Sequence, residues 1–196
     1  MSLPFVFVIG FNKTATRTIH DFFERNGFPG VHWHGGRLAL RMTQNCIQQK
    51  KVCDGYDNKY RVYSDMMFAS EKIWIEGNQY FRQMDQDYPG SYFIYNTRDM
   101  AAWIKSRANH GSAYKINLIQ RARKIYGTSD DSEIFAIWRN QREAFEAELA
   151  DYFGKRPDKK LLNLNINDDD AAAQVATFLD RDMDISQWGW VGKTAQ

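Results

Sequence analysis

The chain has 196 residues, 43% hydrophobic and 26% charged, with a formal net charge of +2. That length suffices to bury a sizeable core in one domain, expected to span residues 1–196. The composition is that of an ordinary soluble globular protein, and the net charge is too small to argue for a nucleic-acid or membrane-binding surface, so any basic site is local.

In chain order, "PFVFVIG" is a continuous apolar run, the pattern of a strand buried on both faces of a parallel sheet. A loop follows, then a helix with Ile19, Phe22 and Phe23 as its buried stripe, capped by Thr16 or Thr18 and ended by Gly27. "GVHWH" is a short strand candidate, "RLALRMTQNCIQQ" a helix, and "RVYSDMM" a short strand leading into a loop. Helix is expected from Asn78 to Asp87, ended by "YPG".

"SYFIYNTRDMAAWIKSRANH" reads as a second buried strand breaking into a helix at Asp99, a good N-cap. Helices are expected from Ser112 to Tyr126 and from Asp131 to Phe153, the latter with Ile134, Trp138, Phe145, Leu149 and Tyr152 near one face. "KKLLNLNIND" is a late strand and "DDDAAAQVATFLD" a helix capped by its aspartates. Alternating strands and helices predict a three-layer α/β/α sandwich with a mainly parallel central sheet.

Cys46 and Cys53 form no disulfide framework and lack zinc-ligand spacing; reduced thiols and a cytoplasmic location are expected, with no metal site. The first apolar run is too short for a signal-peptide core, and no stretch reaches membrane-spanning length.

In parallel sheets ligands bind beyond the carboxyl ends of the strands. Two unusual loops, Phe11 to Arg17 and Asn96 to Asp99, fall at such ends. The first presents a helix N-terminus, Lys13, and the hydroxyls of Thr14, Thr16 and Thr18, a set suited to phosphate or sulfate. It is not the P-loop G-x-x-x-x-G-K-[ST]. Counted from Gly10, the second glycine is Ala15, the lysine position Thr16 and the magnesium-binding hydroxyl position Arg17.

Asn12-Lys13-Thr14-Ala15-Thr16-Arg17-Thr18 resembles the 5′-phosphosulfate loop of the sulfotransferases that use 3′-phosphoadenosine 5′-phosphosulfate (PAPS), and implies a P-loop-like fold. In that family the lysine contacts the transferring sulfate, and the loop amides and hydroxyls hold the 5′-phosphate. The departure is Ala15 where the pattern has glycine, which requires a negative φ there. "NTRDMAAWIKS" is similar to the family's 3′-phosphate segment, with Arg98 ending a strand and Ser106 eight residues on. A glycine- and basic-rich loop near the C-terminus would correspond to Gly192 and Lys193, with Trp188 or Trp190 as adenine cover or as packing.

The resemblance implies transfer of a sulfuryl group to a hydroxyl or amine of a small molecule, glycan or lipid without a metal. Lys13 would stabilise the leaving phosphate. Two candidates stand for the base. Asp65, after a short strand, resembles the acidic residue of some smaller bacterial-type members. His34, with His32, flanks Trp33 on the strand candidate, so that both imidazoles would share a face. Lys105, Arg107, Arg121, Arg123 and Lys124 read as solvated helix faces. Acceptor-pocket loops are expected around His32 to Arg41, Asp65 to Trp74 and Asn109 to Lys115. Two other readings stay open: a P-loop kinase-like phosphotransferase, and a non-catalytic member that binds PAP or a nucleotide.

Overall fold

The computed structural model describes residues 3–111 and 117–189. The first apolar run forms strand β1 (Val6–Val8), every residue of which is buried. Helix α1 (Thr16–Arg25) follows a short loop, and strand β2 (Gly30–His32) follows α1. Helix α2 (Arg37–Ile47) and strand β3 (Val62–Ser64) come next, then strands β4 (Met67–Ala69) and β5 (Trp74–Glu76) and helix α3 (Phe81–Asp87). Strand β6 (Tyr92–Thr97) leads into helix α4 (Met100–Ala108). Helices α5 (Leu118–Tyr126) and α6 (Asp131–Gly154), strand β7 (Lys160–Asn165) and helix α7 (Ala171–Leu179) complete the order.

Five strands form one sheet in the order β2-β3-β1-β6-β7, every pair parallel. Alternation along β1 divides the core. Val6 and Val8 pack with Ile19, Phe22 and Phe23 of α1 and Val175 and Leu179 of α7. Phe7 packs on the opposite face with Met42 of α2, Met84 of α3 and Phe145 and Leu149 of α6. Helices therefore cover both faces, and the expected three layers are present.

Several local expectations are corrected. Neither Thr16 nor Thr18 caps α1: Ala15 occupies the N-cap position with φ 59° and no side-chain cap bond. β2 stops at His32, because Trp33, His34, Gly35 and Gly36 all have positive φ and turn the chain into α2. His32 and His34 therefore do not lie on one strand face. A two-stranded antiparallel hairpin, β4 with β5, was not anticipated. α5 begins at Leu118, where Asn117 and Gln120 form a reciprocal capping box; residues 112–116 of the expected helix lie outside the described residues. Asp170 sits at the N-cap of α7 but makes no side-chain cap bond. Asp99 caps α4 as expected, accepting from the Ala102 N–H at 2.8 Å.

Candidate active site

The loop between β1 and α1 is fastened from behind by β6. Asn96, fully buried, accepts from the Gly10 N–H at 2.9 Å and donates to the Thr14 carbonyl at 2.6 Å and to Thr14 Oγ1 at 2.7 Å. Thr14 Oγ1 donates in turn to the Phe11 carbonyl at 2.5 Å. A Cβ on Gly10 would meet the Asn96 carbonyl at 2.2 Å, so only glycine permits this approach. The Trp103 indole on α4 donates to the Asn12 carbonyl at 3.0 Å, tying a third element to the loop.

This bonding sorts the residues expected to hold an anion. The single proton of the Thr14 hydroxyl is spent on Phe11, which leaves only that residue's backbone N–H for a ligand. Thr16 is buried at the first position of α1, and the first intrahelical bond joins the Ile19 N–H to the Ala15 carbonyl at 3.2 Å. The preceding turn thus presents donors and the positive end of the helix dipole. Arg17 is exposed on that turn, and Thr18 is buried within the helix. Lys13 and Ala15 both adopt left-handed backbone, with φ 70° and 59°. The negative φ required of Ala15 is therefore not found: the chain takes the path a glycine would give, and the alanine bears the strain.

At the end of β6, Arg98 is half-buried and its Nε is buried without a partner. Its carbonyl is held by Arg142 Nη2 at 2.9 Å, and the same guanidinium bonds Thr97 Oγ1 and, through Nε, Glu146. Ser106 lies half-buried on α4, seven residues beyond the Asp99 cap, about two turns into the helix. Lys13 and Arg98 act on one another: burial lowers the Lys13 pKa most, Asp65 raises it, and Arg98 lowers it again. Two cations thus converge at the ends of adjacent parallel strands, where a polyanion would be attracted.

Asp65 follows β3 immediately and has φ 51°. Burial and the neighbouring Glu76 push its carboxyl up to about 6, against the opposing pull of Lys13, Arg107 and Arg17. His34 lies elsewhere in the network: it is exposed, and its Nδ1 is 2.9 Å from Tyr56 Oη. Structure thus groups Lys13 with Asp65 and sets His34 with Tyr56.

Three participants were not read from the sequence. Arg107 is no solvated helix residue. It is fully buried, paired through Nη2 with Glu76 Oε1, and its guanidinium centre lies 4.9–5.6 Å from the rings of Trp138, Trp103, Trp74 and Phe11. Glu76 also accepts from the Trp74 indole at 3.0 Å. Asn96 is the second, and its place at the end of a buried strand was its only sequence signal. The third is His110, just beyond α4, whose pKa is lowered by burial and then by Lys13, Arg121 and Arg107.

Trp188 packs edge-on against Phe22, ring centres 5.1 Å apart, as a hydrophobic anchor. Trp190, Gly192 and Lys193 lie outside the described residues. Among the described residues, no helix is long and apolar enough to cross a membrane.

A five-stranded parallel sheet covered by helices on both faces, with a loop running into a helix after its central strand, defines a P-loop-like α/β architecture. A family model described as a sulfotransferase domain matches residues 5–184, and the chain belongs to that family. No curated protein matches the chain.

Proposed function

We propose that the chain transfers a sulfuryl group from PAPS to a hydroxyl, or an amine, of a small molecule, glycan or lipid, releasing PAP. The observation that carries this reading is the buried, unpartnered Arg98 Nε beside a Lys13 whose loop is locked in place by Asn96. An unpaired buried guanidinium donor is costly alone and is satisfied by a doubly charged phosphate oxygen cluster.

The donor set fits such a cosubstrate. The backbone amides of the loop 12–18, the Thr16 hydroxyl and the Lys13 ammonium would hold the 5′-phosphosulfate end. Arg98 and Ser106 would hold the 3′-phosphate, the group that distinguishes PAPS from a nucleoside triphosphate. Bound PAPS supplies a sulfuryl group activated by its anhydride link to phosphate. Arg17 at the magnesium-hydroxyl position of a P-loop speaks against the kinase-like reading.

Lys13, whose protonated form Asp65 favours, neutralises negative charge on the oxygen that leaves with PAP. Asp65 takes the proton of the acceptor hydroxyl. A carboxyl with a pKa near 6 is ionised at neutral pH yet more basic than an ordinary aspartate, as a general base requires.

Radiolabelled PAPS offered with a broad acceptor panel tests the reading. Wild-type protein is expected to label at least one acceptor, and Lys13→Ala to lose about 10²-fold or more in turnover. Unchanged turnover in Lys13→Ala removes that residue from the mechanism. Tight PAP binding with no labelling of any acceptor would favour the non-catalytic alternative.

A further inference from the structure

We propose that His32 is a positioning residue whose imidazole, anchored by Ser64, holds one oxygen of the Asp65 carboxylate so that the other is presented to the acceptor. The inference rests on the reading of Asp65 as the base. His32 and Ser64 stand opposite one another in the parallel register of β2 and β3. His32 Nδ1 lies 3.1 Å from Ser64 Oγ, and His32 Nε2 lies 3.5 Å from Asp65 Oδ2. The left-handed backbone at Asp65 turns the chain out of β3 at this residue. Such conformations persist where the surroundings over-determine them, and they cluster at functional sites.

The chemistry fixes one arrangement of protons. Were Nδ1 protonated, the lone pair on Nε2 would face a carboxylate, which is repulsive. With the proton on Nε2, the N–H faces Asp65 Oδ2 across 3.5 Å, an attractive contact longer than an ordinary hydrogen bond, and Nδ1 accepts from the Ser64 hydroxyl. His32 is not itself the base. Burial, with His20 and Arg17, pushes its pKa down to about 3, so it stays neutral while Asp65 titrates. The His20 ring lies over it at 5.3 Å between centres. The charged groups that face Asp65 are Glu76, Lys13, Arg107 and Arg17, none of which His32 replaces. A neutral N–H donor adds direction without adding charge.

The test reads Asp65 directly in the full chain saturated with PAP, by carbon-13 NMR titration of its carboxyl, assigned with Asp65→Asn. Removing a donor to the ionised form raises the midpoint: by about half to one pH unit is expected in His32→Ala, and less in Ser64→Ala. His32→Gln, whose amide N–H replaces Nε2–H, is expected to restore it. A purely structural role for His32 would lower thermal stability without moving the midpoint. An unmoved midpoint in both His32→Ala and Ser64→Ala overturns the proposal. Should His32→Ala fail to fold, a Ser64→Ala midpoint equal to wild type overturns it alone. Failure of the underlying reading is separate: Asp65→Asn that still transfers label from PAPS to the acceptor panel dismisses Asp65 as base whatever the midpoints do.

Discussion

Asn96 holds Thr14 twice, at its carbonyl and at its hydroxyl, while accepting the amide of Gly10 from the other end of the same loop. One buried side chain on β6 thus fixes the path of the loop that follows β1. Asn96→Ala leaves at least two buried polar groups without partners, at about 1–3 kcal/mol each. The variant is expected to unfold at clearly lower denaturant and to lose most of its PAP affinity. Asn96→Asp, nearly isosteric but facing the Thr14 carbonyl with an acceptor, is expected to behave similarly. Denaturant titration and calorimetry check both, and wild-type PAP binding in Asn96→Ala would show that the loop needs no latch.

Ala15 occupies left-handed backbone at the N-cap of α1. An L-residue there costs about 1–2 kcal/mol, which glycine escapes at some expense in unfolded-state entropy. Ala15→Gly is therefore expected to stabilise the protein by roughly 0.5–1 kcal/mol. Urea unfolding measures it; a loss of stability would mean that the methyl's contacts outweigh the strain.

Asp65 lies in a site that resists its charge. Its native pKa of about 6 is above the ordinary 3.8, so between those values the folded state binds the proton more tightly than the unfolded chain. Stability is therefore greatest at the acid end of that window and falls as pH rises through about 6. At neutral pH the ionised group costs on the order of 1–3 kcal/mol. Asparagine tolerates the left-handed backbone. Asp65→Asn is thus expected to raise thermal stability at neutral pH, by a margin that shrinks in acid, and to abolish transfer. Melting curves at several pH values check the first claim. Retained transfer would pass the base to another group, with His110 next in line because it feels Lys13.

The layered fold was legible because β1 and β6 are apolar on both faces and the helices between them carry regular stripes. The candidate loop stands out in the sequence because its residue types are local: Lys13, the threonines and the helix start lie within one short stretch. Arg107 was not. Its partner Glu76 is 31 residues away on a hairpin strand of three residues, and no Asn-Gly or Asp-Gly turn announces that hairpin. A charged residue on a helix reads as solvated unless its aromatic cage is seen. His34 was misplaced through alternation at Trp33, although the Gly35-Gly36 pair already signalled a turn.

On the proposed reading, the loop after β1 and Arg98 after β6 together take a nucleotide phosphorylated on both its 5′ and 3′ sides. Calorimetry with PAP, ATP and GTP, each with and without magnesium, tests it most directly. Tight PAP binding that needs no magnesium and is lost in Arg98→Ala is expected. Magnesium-dependent ATP or GTP binding with no affinity for PAP would contradict it.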